Sequence, residues 1–145
     1  MKSERLDHGQ PEKTYALILD QGDEAMASLR RFADEQRLDA AHFTAIGAFS
    51  DATIAWFDWE NKRYKKIPVL EQVEVLMLAG DVSLKPDGGR QVHAHVVLGT
   101  SDGHARGGHL MEAHVRPTLE IILTESPAHL RRRHDPASGL DLISV

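Results

Sequence analysis

The chain has 145 residues, of which 41% are hydrophobic and 27% charged, and this composition indicates one globular domain and excludes wholesale disorder. It has 17 Lys and Arg against 22 Asp and Glu, a net charge of −5 that disfavours binding to nucleic-acid phosphates, and no cysteine, which excludes disulfides, thiolate metal sites and cysteine nucleophiles. The apolar stretches are too short to span a bilayer and the first residues do not resemble a signal peptide, so we expect a cytoplasmic protein.

The first residues are polar, and we predict a loose leader over residues 1–12 followed by a single domain over residues 13–145. An apolar run over Thr14–Leu19 is typical of a β-strand. Asp23 can then cap a helix. Apolar side chains at helical spacing indicate the buried face of this helix, namely Met26, Leu29, Phe32 and Ala33.

The rest of the chain is predicted to form strands separated by turns. Arg63–Val69 is polar and has Pro68 near its end, which favours an edge strand. The other strands are predicted over His42–Ile46, Ala52–Trp59, Val73–Leu84, Gln91–Leu98 and Thr118–Thr124. About seven strands and one main helix, with no alternation of strands and helices, indicate an α+β domain with a mainly antiparallel sheet.

Histidine is abundant, with nine in the chain and six of them between residues 91 and 130. His93 and His95 lie two apart in a predicted strand, so both side chains point to the same face of the sheet. A turn at residues 101–103 is expected to bring the chain back antiparallel, which would place His109 beside the pair. Three converging imidazoles suit zinc with an open fourth position, and nickel, iron or copper would accept the same donors.

A second interpretation of these histidines needs no metal. A His-x-His pair on a strand can also lie on a polar or intersubunit face and bond to carbonyls or carboxylates. Gly107 and Gly108 favour the metal, because paired glycines allow close approach of the backbone, but the spacing leaves both interpretations open. His104 and His114 are expected on the surface. The remaining histidines carry no pattern: His8, His42, His129 and His134.

Two glutamates are candidate catalytic residues. Glu120 and Glu74 each interrupt an apolar strand. They either face solvent or, if buried beside the histidines, orient a ligand or activate a metal-bound water. The aromatic residues Trp56, Phe57 and Trp59 are expected to pack in the core or in an interface, since the basic residues of a base-stacking platform do not lie between them.

Several motifs together resemble one known family, the plants-and-prokaryotes-conserved (PPC) domain. The central motifs are VHAHVVLG at residues 92–99, GGHL at 107–110 and VRPTLE at 115–120. Two more precede them in the order of the family, GAFSD at 47–51 and VEVLMLAGDVS at 73–83. The resemblance therefore extends over nearly the whole chain.

The resemblance implies an α+β fold, assembly as a homotrimer and, in some prokaryotic members, a metal at the positions of His93, His95 and His109. Plant members join the domain to an AT-hook that binds DNA, and their domain contacts other proteins. The Arg-Gly-Arg-Pro core of that hook does not occur in this sequence. The basic run Arg131–Arg133 is interpreted as a solvated segment.

Three hypotheses about function follow. The first is a stand-alone PPC-domain homotrimer that binds zinc or another divalent transition metal through three histidines near a subunit boundary. The second is a metal-dependent enzyme of the hydrolase or lyase type, which uses the open metal position with Glu120 or Glu74 assisting. The third is a module that binds DNA or a regulator, which the acidic charge and the missing AT-hook disfavour.

Overall fold

The computed structural model describes residues 1–5, 12–126 and 130–144, and in this part of the chain it has one helix and nine strands. The helix is α1 (Ala25–Gln36). The strands are β1 (Lys2–Arg5), β2 (Lys13–Asp20), β3 (Ala40–Asp58), β4 (Arg63–Val69), β5 (Val73–Leu84), β6 (Arg90–Gly99), β7 (Ala105–Glu125), β8 (Arg131–Asp135) and β9 (Leu140–Ser144). The predicted α+β class and mainly antiparallel sheet are confirmed, with nine strands in place of about seven.

The helix packs as its apolar spacing predicts, with Met26, Leu29 and Phe32 buried. Its N-cap is Glu24 and not Asp23. The Glu24 carboxylate accepts hydrogen bonds from the first-turn amides of Met26 and Ala27, and from the amide of Ala113 on β7. The cap therefore also ties the helix to the sheet, a tertiary contact that the local sequence did not indicate.

Four strands close into a ring. β7 pairs with β3, β3 with β5, β5 with β6, and β6 with β7 again. The two predicted strands on either side of Gly47 are one continuous strand, β3, because a shift of register beside Gly47 bends the ladder without ending it. Likewise β7 begins at Ala105, well before the predicted Thr118.

Alternation along the ring strands separates the core from an outward face. On β6 the side chains of Val92, Ala94 and Val96 are buried, so those of His93 and His95 point outward. The ladder between β6 and β7 ends at the pair in which His95 lies opposite His109. Beyond that pair, α1 packs against both strands. The histidine motifs thus lie where the two strands begin to separate.

The strands outside the ring include one confirmed prediction and two corrections. β4 pairs with β3 alone, as expected of an edge strand. Lys2–Arg5, expected in a loose leader, pair as β1 with β2, whose free edge offers unpaired backbone groups. Residues 6–11 of the predicted leader lie outside the described residues. The C-terminal residues, for which no strand is predicted, form the β8–β9 hairpin. Across the described residues, we find no helix with the length and apolarity needed to cross a bilayer.

Candidate metal centre

The three predicted ligands converge on the outward face of the ring. His95 and His109 are directly opposite each other on β6 and β7, and His93 is two residues away on the same face. The ring centroids are 5.0 Å apart for His93 and His95, 4.9 Å for His93 and His109, and 5.5 Å for His95 and His109. One nitrogen from each ring lies within 4.8 Å of the other two. This spacing suits a shared metal ion.

Gly107 and Gly108 provide the close backbone approach that the sequence predicts. A Cβ atom at Gly108 would lie 2.6 Å from the carbonyl oxygen of Ala55, and one at Gly107 would lie 2.9 Å from that of Val96. Both contacts are with backbone, which cannot move aside as a flexible side chain can. The two glycines therefore let β7 lie tightly between β3 and β6, and this places His109 beside His95.

Burial keeps two of the histidines neutral near pH 7. It lowers the pKa of His109 to about 4, with the positive charges of His93 and His95 contributing in the same direction. The pKa of His95 is also lowered, first by burial and then by His93. The Nδ1 atom of His109 is buried and has no hydrogen-bond partner among the described residues. Neutral imidazoles with unused lone pairs are the form that binds a metal.

A carboxylate lies behind this cluster that the sequence analysis did not identify. Asp81 is directly opposite His93 on β5, and its Oδ2 atom is 3.3 Å from His93 Nδ1. Its Oδ1 accepts hydrogen bonds from Arg132 Nη2 and Ser83 Oγ at 2.7 and 3.0 Å. Burial alone would raise the pKa of Asp81, but the hydrogen bonds from His93, Arg132 and Ser83 lower it below its ordinary value.

The only sequence signal for Asp81 is its alternation with Ser83 near the C-terminal end of β5. Two polar residues at period two mark a polar strip on one face of β5. That His93 lies opposite depends on the register between β5 and β6. That Arg132 lies there depends on the position of the β8–β9 hairpin. Neither is readable from spacing along the chain.

Two aromatic side chains extend from the cluster, Tyr64 on β4 and Phe57 on β3. The ring of Tyr64 lies 4.8 Å from that of His109, and Phe57 lies 5.2 Å from Tyr64. Trp56 and Trp59 are 59% and 53% exposed. The prediction that they pack in the core of this chain is therefore wrong for both, and the alternative of an interface stays a prediction. Lys62 lies over the ring of Trp59, 3.8 Å from its centroid.

The two candidate catalytic glutamates lie away from the histidines. Glu74 pairs with Gly99 at one end of the β5–β6 ladder, whereas Asp81 and His93 pair toward the other end. Glu74 and Glu120 are both exposed and line a separate open groove of about 540 Å³ together with Ile46 and Leu76. Within one chain, the structure does not bring either carboxylate to the cluster.

The other described histidines lie outside the cluster. His104 is exposed and pairs with Asp102, and His114 pairs with Asp51 at 2.8 Å, in agreement with the predicted surface positions. His42 is exposed, and His134 lies 3.4 Å from an aspartate on β9. His8 and His129 lie outside the described residues.

The structure thus defines a small α+β protein with a closed ring of strands and a three-histidine cluster on its outer face. Residues 6–127 match the model of the Plants and Prokaryotes Conserved (PCC) domain, and the chain belongs to this family. This is the family that the sequence motifs resemble.

Solved structures share the fold along nearly the whole chain. A plant- and prokaryote-conserved (PPC) protein from Pyrococcus horikoshii is 32% identical with a TM-score of 0.85, and the match covers 99% of this chain and 95% of that one. A metal-containing protein from Archaeoglobus fulgidus is 37% identical with a TM-score of 0.84, covering 92% and 94%.

One curated relative is much longer than this chain. The Bifunctional protein GlmU of Synechococcus sp. (strain JA-3-3Ab) is 35% identical over 130 residues, which are 88% of this chain and 20% of that protein. The chain therefore spans about a fifth of the length of this relative.

Proposed function

We propose that this PCC-domain protein binds a divalent transition metal, zinc in the first place, through His93, His95 and His109. The observation that carries the proposal is the cluster itself, in which one nitrogen of each ring lies within 4.8 Å of the others. The lowered pKa values of His95 and His109 support it, because a metal competes with protons for the same lone pairs. The similarity to a metal-containing archaeal protein agrees with it.

The chemistry of the donor set favours an open site. Three imidazoles are the only side chains that converge as ligands in the described part of the chain, whereas structural zinc sites use four protein ligands. When bound there, zinc would act as a Lewis acid and lower the pKa of a water in the free position. His95 and Gly107 border a shallow groove of about 320 Å³ on the outer face, which leaves room for a small ligand.

The first experiment measures metal content by plasma mass spectrometry on protein purified without a histidine tag. We expect close to one metal per chain, and almost none in the His93→Ala/His95→Ala double variant. The matched control is His114→Ala, which removes a histidine outside the cluster and should keep its metal. A wild-type protein that stays metal-free after incubation with zinc would refute the proposal.

We further propose that the chain assembles as a homotrimer. Supporting this proposal are four apolar side chains on the outer surface, Ile46, Met77, Val97 and Ile122, which are between 41% and 57% exposed. Met77 and Val97 are cross-strand neighbours and share a groove with His95, so a docked copy would place the histidines near a subunit boundary. Exposed apolar patches of this kind mark interaction surfaces.

Light scattering after size exclusion tests the assembly. We expect a mass three times that of the chain for the wild type, and a smaller mass for the Met77→Lys/Val97→Glu variant. Leu70→Lys is the control, because Leu70 is 84% exposed in the turn after β4. A monomeric wild type at micromolar concentration would contradict the proposal.

The open position also supports a second candidate function, a metal-dependent enzyme of the hydrolase or lyase type. Because Glu74 and Glu120 line another groove, a reaction at the cluster would not use them within one chain. A substrate panel with zinc-loaded protein tests this function. Activity lost in His109→Ala but kept in Glu120→Gln would support it, and inactivity of the loaded wild type across the panel would count against it.

Binding to DNA has less support. Arg132, the central residue of the basic run, is 6% exposed and already bonded to Asp81, so the run offers fewer free cations than its sequence suggests. A shift assay with A·T-rich duplex at low salt tests this function. Binding that weakens steeply as the salt concentration rises would support DNA as a partner.

A further inference from the structure

We propose that Asp81 and Arg132 are positioning residues that hold His93 with its Nδ1–H toward Asp81 and its Nε2 lone pair toward the metal. This inference rests on the proposed metal binding and specifies how the chain prepares one ligand for it. It also assigns a role to the β8–β9 hairpin, which lies outside the segment that matches the family model.

The first step of the argument is the register between β5 and β6. Asp81 and His93 are cross-strand partners, so their side chains leave the sheet on the same face. The 3.3 Å contact joins Asp81 Oδ2 to His93 Nδ1. Because an ionised carboxylate only accepts hydrogen bonds, Nδ1 carries the proton in the neutral ring. The lone pair of His93 is then on Nε2, the remaining atom available to a ligand.

The second step is the immobilisation of the carboxylate itself. Arg132 donates from Nη2 to Asp81 Oδ1 at 2.7 Å and from Nε to Ser83 Oγ at 2.7 Å, and Ser83 donates to the same Oδ1 at 3.0 Å. The third guanidinium nitrogen donates to the backbone oxygen of Asp141 on β9 at 2.8 Å. Every nitrogen of Arg132 is therefore engaged, and Oδ2 of Asp81 is the oxygen left for His93.

The third step is the difference between His93 and the other two ligands. No carboxylate forms a described contact with the ring of His95 or His109, and His109 Nδ1 is buried without a hydrogen-bond partner among the described residues. His93 is thus the ligand whose orientation is set before a metal arrives. Fixing a ligand in advance reduces the conformational entropy lost on binding.

The sharpest test needs no metal. Long-range ¹H–¹⁵N spectra of the metal-free wild type at neutral pH report which ring nitrogen of each histidine carries the proton. We expect the Nδ1–H tautomer for His93, and loss of that preference in Asp81→Ala. The matched control is Asp51→Ala, which removes a comparable Asp–His pair at His114 and should leave the His93 signal unchanged. An Nε2–H tautomer for His93 in the wild type would overturn the inference.

The second test measures zinc affinity by competition with a chelator. Loss of a partner that orients a ligand typically weakens binding about 10- to 100-fold, and we expect this for Asp81→Ala and Arg132→Met. Asp81→Asn, which keeps a hydrogen-bond acceptor, should lose less. Arg133→Met, an exposed neighbour on β8, and Asp51→Ala should bind as the wild type does.

The two proposals fail in distinguishable ways. A wild type that does not bind zinc would refute the metal site, while the His93 tautomer would still decide whether Asp81 orients the ring. A wild type that binds zinc tightly, together with Asp81→Ala and Asp81→Asn variants that bind it equally well, would overturn the positioning role alone. If Asp81→Ala does not fold, because it leaves Arg132 buried without its acidic partner, the asparagine variant and the wild-type tautomer carry the test.

Discussion

Two histidines, His109 and His114, lie five residues apart on β7, and their pKa values are shifted in opposite directions. His109 is half-buried among two other histidines, and its pKa is lowered to about 4. His114 is 42% exposed beside Asp51, and the hydrogen bond with this carboxylate, more than any other cause, raises its pKa. The first is a neutral imidazole near pH 7, and the second retains its proton to higher pH. Residue type and strand are shared, so the environment alone makes the difference.

The backbone around the two histidines differs as well. His109 pairs with His95 in a ladder with β6 that is regular from Ala105 onward, and with Ala55 in the β3–β7 ladder, where a shift of register lies one pair away. His114 pairs with Asp51 next to a shift of register in the β3–β7 ladder. A regular ladder holds side chains at a constant spacing, whereas a bulge turns a side chain away from its neighbours. Through its regular pairing with β6, the cluster therefore depends on accurate strand packing in a way that the surface pair does not.

The largest expected effect tests that dependence. Gly108→Ala would place a Cβ atom 2.6 Å from the carbonyl oxygen of Ala55, and relief requires β3 and β7 to move apart. We expect the free energy of unfolding to fall by about 3 kcal/mol and the cluster to lose metal. Denaturant unfolding measures the change in the free energy of unfolding. Gly89→Ala is the control, because its nearest contacts are the flexible side chains of Lys85 and Asp87, and an equal loss there would refute the packing argument.

The next prediction separates the two histidines as ligands. His109→Ala removes one of three donors, and we expect zinc affinity to fall by about a hundredfold, or roughly 2.7 kcal/mol. His114→Ala should leave the affinity within about twofold of the wild type, because His114 lies outside the cluster. Titration calorimetry with zinc measures both. Equal losses in the two variants would show that the cluster is not the binding site.

The pH dependence of stability should distinguish the buried histidine. In the metal-free protein, His109 has a pKa of about 4 when folded and near its ordinary 6.5 when unfolded. The unfolded chain therefore binds the proton first, and stability declines as the pH falls from 6.5 toward 4. We expect His109 to account for about 2 kcal/mol of that decline once partial exposure is allowed for. Urea unfolding in the presence of chelator should show a shallower slope for His109→Gln, and an unchanged slope would contradict the prediction.

The smallest effect belongs to the surface pair. The raised pKa of His114 stabilises the fold below 6.5 and this contribution is lost as the pH rises through the raised value, while the lowered pKa of Asp51 stabilises it above 3.8. Both partners are 42% exposed, so we expect the pair to contribute only about 0.5 kcal/mol between those limits. The difference in unfolding free energy between wild type and His114→Ala should shrink above the raised pKa. A difference that grows with pH would reverse the assignment.

Local patterns in the sequence predicted the elements well where they are short and amphipathic. Val73–Leu84 is β5 to the residue, and Arg63–Val69 is the edge strand β4. The failures occurred where an element depends on distant partners. Gly47 suggested a break in β3, but pairing with both β5 and β7 carries the strand through it. Lys2–Arg5 form a strand only because β2 has a free edge for them to pair with.

In the candidate site too, local patterns predicted some residues, while others depend on contacts with distant strands. His93 and His95 could be placed on one face from their spacing alone, and Gly108 indicated that His109 lies close to a neighbouring strand. Glu120 and Glu74 were candidates because each interrupts an apolar run, and that pattern does not distinguish a residue facing the cluster from one facing another groove. Asp81 was missed, since its alternation with Ser83 does not show that a histidine lies opposite until the cross-strand partner is known.

By itself, the sequence determined the α+β class and predicted the three histidines, because side-chain alternation and turn residues act over a few positions of the chain. Its motifs, by their resemblance, indicated the family. The tertiary structure alone decided that four strands close into a ring, that Asp81 lies opposite His93, and that Arg132 reaches both Asp81 and β9. Those contacts join residues 9 to 51 positions apart in sequence. Their formation depends on strand register and on the closure of the ring, which are set by the packing of the whole core.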